Sequence, residues 1–209
     1  MLALGPDIAF LPYCGNMPDE ETQEQGRDGV IFTRRWLEAT TFIELPWNAY
    51  ENKKLCVLPL LKSGRKKYDL RGRFLHESRH EIYVENKAAN VASNQTADFR
   101  EFLANAYSTT ARKWADLDGD PEIEYIFVTS YPFGRLADWG RLHTKEAVIK
   151  AVEDEEVLPT GTSLDDSLAA LVSERCWLLV VHAKQERITL DQPELEVALR
   201  ALERKKHTL

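Results

Sequence analysis

The chain has 209 residues, 44% of them apolar and 29% charged, and a formal net charge of −7. That balance excludes a disordered polar chain and a membrane bundle, and the acidic excess excludes a protein that clings to nucleic acid over its whole surface. The length suits one large domain burying roughly 70% of its unfolded surface.

Met1 to Phe10 hold no Lys or Arg and are broken by Gly5, Pro6 and Asp7, so no secretory signal is expected. No apolar run approaches the roughly 18 residues of a membrane helix, and a cytoplasmic location is expected. Cys14, Cys56 and Cys176 are scattered and lack a Cys-x-x-Cys pair, which predicts reduced, packed thiols rather than a zinc or redox centre.

Pro18 to about Thr41 opens with acids and continues as Val30, Phe32, Trp36, Leu37 and Thr40, a helical spacing whose start Gly26 and Gly29 are expected to delay. Leu55 to Leu61 reads as a strand ended by Ser63-Gly64. Lys66 to Leu75 and Glu81 to Lys87 read as two strands of a hairpin turning near Glu77. Asn94 to Trp114 carries Phe99, Phe102, Leu103, Ala106, Tyr107, Thr110 and Trp114 at helical spacing, so these aromatics are expected to pack the core. Glu122 to Ser130 is apolar on both parities, as an interior strand covered on both faces would be. Thr144 to Glu156 predicts a helix capped by threonine, and Ser163-Leu164-Asp165-Asp166 the start of another with Ser163 as cap. Cys176 to His182 reads as a further strand with Arg187 to Leu190 as its hairpin partner, and Asp191-Gln192-Pro193-Glu194 caps a last helix through Lys205. The elements predict an α/β fold, a mixed sheet flanked by helices, with a core over about 18–130 that residues 131–209 complete as one domain.

Charge is unevenly spread. Lys62, Arg65, Lys66, Lys67, Arg71 and Arg73 crowd around the single acid Asp69, which makes them candidate contacts for a phosphate backbone. Hydrolysing a phosphodiester requires a cation to neutralise charge building on phosphate, and magnesium needs only one or two carboxylates plus waters. Tyr68-Asp69-Leu70-Arg71-Gly72 followed by Ile82-Tyr83-Val84-Glu85-Asn86-Lys87 offers such a set. Strand alternation sends Glu85 and Lys87 to one face and Asn86 to the other, and a turn near Glu77 sets Asp69 opposite Glu85. His76 and His80 fall in the turn, where a histidine could assist a leaving group. His143, His182 and His207 have no mutual metal spacing.

These residues resemble the PD-(D/E)xK phosphodiesterase superfamily, the restriction-endonuclease-like fold, from about Gln25 to Val128. The resemblance implies that Asp69 and Glu85 hold Mg²⁺, with Mn²⁺ able to substitute, and that Lys87 is the catalytic lysine. Gln95, opening Gln95-Thr96-Ala97-Asp98-Phe99, is similar to a Gln-x-x-x-Tyr feature of the branch of recombination exonucleases, with Phe99 in the place of Tyr. A further acid on the first helix is also implied, with Glu24 and Asp28 as the candidates, while Tyr68 stands where the name-giving proline would be. Glu51-Asn52-Lys53 repeats the tripeptide of Glu85-Asn86-Lys87 but follows no strand-like run, and is read as a solvated turn.

The implied activity is a metal-dependent nuclease acting on nucleic acid, with DNA the expected substrate. The competing reading is an inactive nuclease-fold subunit that holds DNA or scaffolds a larger complex. No separate recognition domain is visible in the sequence, which suggests either modest specificity, a homodimer using its loops, or a partner subunit that supplies targeting. Defence against foreign DNA, or service in a mobile element, follows from fold-level analogy alone. Phosphate-binding loops, dinucleotide fingerprints and the serine-hydrolase elbow are all missing from the sequence.

Overall fold

Alternating Ile82/Val84 and Tyr83/Glu85 give the segment Glu81–Lys87 two distinct faces, and both are covered. In the computed structural model, which describes residues 19–75, 79–87 and 95–201, it is the middle strand of a five-stranded mixed sheet. The elements run α1 (Asp19–Thr40), β1 (Ile43–Asn48), β2 (Val57–Pro59), β3 (Arg65–Lys67), β4 (Leu70–Phe74), β5 (Glu81–Lys87) and α2 (Gln95–Leu117). They continue with β6 (Ile123–Thr129), α3 (Lys145–Asp154), α4 (Asp166–Glu174), β7 (Cys176–Val180) and α5 (Gln192–Ala201). The sheet order is β1-β4-β5-β6-β7, antiparallel from β1 to β5 and parallel from β5 to β7, and β2 and β3 pair separately as a small hairpin.

Each face of the sheet has its own apolar layer. On one side Ile82, Val84, Ile126 and Val128 meet Val30 and Leu37 of α1. On the other, Tyr83, Tyr125 and Phe127 meet Phe99, Phe102 and Tyr107 of α2 together with Val148, Ala169 and Val172 of α3 and α4. Crossovers through helices are what parallel neighbours require, and α2 makes the one from β5 to β6. Trp114, expected in the core, is 39% exposed instead. No helix among the described residues is long and apolar enough to cross a membrane. Cys56 and Cys176 are buried, unbonded thiols, while Cys14 lies outside the described residues.

Several other local expectations need correction. Helix α1 starts at Asp19 and runs through both glycines, because burial of Val30 and Leu37 outweighs their cost of about 1 kcal/mol each. Strand β1 was not legible from the sequence: Pro46 argues against a strand, but β1 is an edge strand with its irregularity between Glu44 and Trp47, where a missing N–H is tolerated. Helix α4 is capped by Asp165, which accepts from Ser167 and Leu168 N–H, rather than by Ser163. Ala183–Ile188 forms a 3₁₀ helix in place of the expected hairpin strand, and the last helix is described to Ala201.

The long strand expected from Lys66 to Leu75 is two strands broken at Tyr68 and Asp69. Tyr68 is fully buried, its ring 5.3 Å from Tyr83 and 5.8 Å from Tyr125, so the chain leaves the β2–β3 hairpin and enters the main sheet around this anchor. Gly72 then allows β1 to approach: a Cβ there would lie 1.7 Å from the Glu44 carbonyl oxygen. Gly72→Ala is therefore expected to destabilise the fold by about 3 kcal/mol or more, since the obstacle is backbone that must move. Urea unfolding would show it as a lower midpoint with an unchanged slope.

Candidate active site

Asp69 lies just outside β4, yet its peptide is held from both sides. Its N–H donates to the Val84 carbonyl (2.9 Å) and its C=O accepts from Ala49 N–H (2.8 Å). The β4–β5 ladder pairs Leu70 with Val84 and Arg71 with Tyr83, so one further step sets Asp69 opposite Glu85. The turn residues His76, Glu77 and Ser78 lie outside the described residues. Asn86 faces the other way and accepts the Thr33 hydroxyl of α1 (2.8 Å), while its N–H donates to Asp69 Oδ2 (2.8 Å).

Glu85 is only 6% exposed, and its Oε1 receives two ammonium groups, Lys66 Nζ at 3.2 Å and Lys87 Nζ at 3.3 Å. Each lysine also reaches an acid on α2, Lys87 to Asp98 (3.7 Å) and Lys66 to Glu101 (3.8 Å). Four carboxylates, those of Asp69, Glu85, Asp98 and Glu101, thus face the ammoniums of Lys66 and Lys87, with Lys67 also acting on Asp69, and negative charge stays in excess when all are ionised. Among the described residues no three His, Cys, Asp or Glu side chains form a ready metal cage. The pair Asp69 and Glu85 still fits a hard divalent cation that keeps several waters, as magnesium does, and the surplus charge is of the right sign.

Burial pushes the Asp69 carboxyl up to about 6, and the neighbouring Glu85 adds to it, against the opposing Asn86 N–H, Lys87 and Lys67. For Lys87, burial works against the ammonium, but Glu85 and Asp98 outweigh it and hold its pKa above the ordinary value. Lys87 is therefore an ammonium at neutral pH while Glu85 and Asp98 face it.

Gln95 is buried at the start of α2, where its Oε1 accepts the Thr129 hydroxyl at 2.7 Å. Thr129 is the β6 partner of Lys87, so Gln95 adjoins the site through that strand. Its Nε2 finds no hydrogen-bond partner among the described residues. Phe99 packs among Phe102, Phe127 and Phe133. Glu24 and Asp28 are both exposed on α1. His80 binds Glu124 at 3.0 Å, at the end of β5 far from Glu85 and Lys87, so it cannot assist a leaving group there.

The basic run separates by position. Arg65 and Lys67 face outward from β3 while Lys66 between them turns in to Glu85. Lys62 is exposed and donates to the Glu156 carbonyl. Arg71 is a structural cation, paired with Glu81 at 2.6 Å and stacked on Trp47 and Tyr83. Arg73 lies between Glu44 and Glu81 in the strand register. Glu51 follows β1 directly, contrary to the expectation of no preceding strand, but is exposed and accepts from its own Asn48 amide at 3.1 Å. Asp98 and Glu101 were missed in the sequence. Their three-residue spacing on α2 was the available signal, unreadable without knowing which helix face meets β5.

No family model matches the chain, and no curated protein matches it. Among solved structures, the Moraxella osloensis Cap4 SAVED/CARF-domain containing receptor is similar over 78% of this chain and 33% of that one, at 14% sequence identity and a TM-score of 0.34. The chain thus spans about a third of the length of that receptor.

The raised Asp69 pKa has a consequence for metal-free protein. A folded-state value of about 6 against an ordinary 3.8 means that Asp69 favours the native state below pH 4 and that this contribution is lost as pH rises through 6. Asp69→Asn removes the buried charge while keeping the acceptor for Asn86. In chelator, the variant is expected to melt higher than wild type at pH 8, by about 2 kcal/mol, and equally at pH 4. An equal difference at both pH values would place the cause in packing rather than charge.

Proposed function

We propose that this chain is a divalent-cation-dependent phosphodiesterase of nucleic acid, DNA being the expected substrate, on a restriction-endonuclease-like core. The observation that carries this reading is the convergence of Asp69, Glu85 and Lys87 on one face of the sheet with unneutralised negative charge. Asp69 and Glu85 would hold Mg²⁺ or Mn²⁺, and the bound cation would supply Lewis-acid stabilisation of phosphate charge and a more acidic water. Asn86 N–H orients Asp69, leaving the other carboxylate oxygen for the cation. Lys87, as an ammonium, would stabilise the extra negative charge of the phosphorane-like transition state. Arg65 and Lys67, outward on β3 beside these groups, would hold the phosphate backbone.

Lys87→Ala is expected to lower cleavage of plasmid or RNA by about 10²- to 10³-fold, the loss typical of one removed stabiliser. The same variant binds Mn²⁺ in calorimetry at least as tightly as wild type, because an ammonium is no ligand and one beside Glu85 opposes the cation, whereas Asp69→Asn and Glu85→Gln each weaken binding. Lys53→Ala, in the exposed copy of the tripeptide, behaves as wild type. Inactive wild-type protein that still binds DNA would replace the enzyme by the non-cutting subunit.

The outward residues give a separate expectation. Arg65→Gln with Lys67→Gln lowers the slope of log affinity against log salt by roughly 0.9 per lost contact on duplex DNA. A slope equal to that of wild type would make both residues plain surface.

A further inference from the structure

Lys66 combines features that a surface phosphate contact does not need. Its side chain is 16% exposed, it lies over the Tyr68 ring at 5.8 Å, and its ammonium is within 3.2 Å of Glu85 Oε1. Lys87 is already 3.3 Å from that same oxygen. Two like charges sharing one acceptor repel each other, so one of them is held less firmly than a lone ion pair would be. Lys87 stands two residues from Glu85 on the same strand, with Asp98 as its own second acid at 3.7 Å. Lys66 reaches in from a different sheet and has a second acid, Glu101, 3.8 Å from its ammonium. Glu101 is 56% exposed on α2, where the Asn105 amide donates to its Oε1 at 3.2 Å and holds it towards Lys66.

We infer that Lys66 is the resting counter-ion of Glu85, and that it gives up this carboxylate to a divalent cation and is retained on Glu101 while the cation is bound. The inference rests on the reading of Asp69 and Glu85 as cation ligands. Before a cation binds, Lys66 offsets the repulsion between the buried acids. A divalent cation brings twice the charge to the same oxygen and displaces the ammonium, which moves a short way along its own stem. Lys66 therefore works against cation affinity, and Glu101 works for it by receiving Lys66. Lys66 is a positioning residue here and touches no substrate.

The test is calorimetric titration of Mn²⁺ and Mg²⁺, without nucleic acid, into wild type, Lys66→Met, Glu101→Gln and the double variant, with circular dichroism as the fold control. Met preserves the stem against Tyr68, and Glu101 is exposed, so the second variant remains informative should the first fail to fold. Lys66→Met is expected to tighten the cation Kd about tenfold, a fraction of the Coulomb effect of one charge at such a distance. Glu101→Gln is expected to weaken it about threefold in wild type and to have almost no effect when Lys66 is already gone, the non-additivity of a coupled pair. Weaker or unchanged binding in Lys66→Met, or the same Glu101 effect in both backgrounds, overturns the inference. Wild-type protein that binds neither ion overturns instead the assignment of Asp69 and Glu85 as ligands.

Discussion

The Asp69 peptide is hydrogen-bonded on one side to β5 and on the other to the residue that follows β1. This double tie is the constraint on which the site depends, because strand side chains alternate and a slip of one residue would send Asp69 to the α1 face. The tie in turn needs the chain to arrive from β3 at the right height, and Tyr68 sets that height by filling the space between Tyr83 and Tyr125. Gly72 closes the other side by letting the Glu44 carbonyl approach. Four neighbouring features, a buried aromatic, a glycine and two backbone hydrogen bonds, thus determine where one carboxylate lies.

Placing that carboxylate beside Glu85 creates a repulsion that the rest of the site answers. The Asn86 N–H bonds Asp69 directly, and the Asn86 side chain is anchored by Thr33 on the opposite face, so the strand cannot twist to separate the acids. Lys66 and Lys87 then bring positive charge from two different strands, and α2 holds both through Asp98 and Glu101. Helix α2 is favoured at this place for its own reasons. Its first turn carries Asp98, which suits the helix dipole, and Gln95 joins it to Thr129 at the carboxyl end of β6. The carboxyl ends of parallel strands are where open α/β sheets commonly place ligands.

The basic run shows how strand parity sorts residues that composition groups together. Lys66 and Lys67 are adjacent, but one is drawn into the acidic cluster and the other faces solvent. Arg71 is spent on pairing within the sheet, with Glu81 and against two aromatic rings. What remains outward is a smaller positive rim than the count of lysines and arginines implies, consistent with a chain whose overall charge is negative.

The sequence by itself determined the strong periodic elements: α1, α2, α3, β5, β6 and the antiparallel pairing of β4 with β5 were all legible, because each buries an apolar face whose period is written in the residues. It also indicated that Glu85 and Lys87 share a face, and that a turn near Glu77 would bring Asp69 opposite Glu85, a register that the fold then decided. Tertiary structure alone decided the rest. Edge strand β1 hides behind Pro46, tolerated only because no further strand needs its N–H. The break at Tyr68 depends on a cavity between tyrosines distant in sequence. Lys66, Asp98 and Glu101 meet Glu85 only because a separate hairpin and a helix are packed on the same sheet face, and such proximity across the fold leaves no local pattern in the chain.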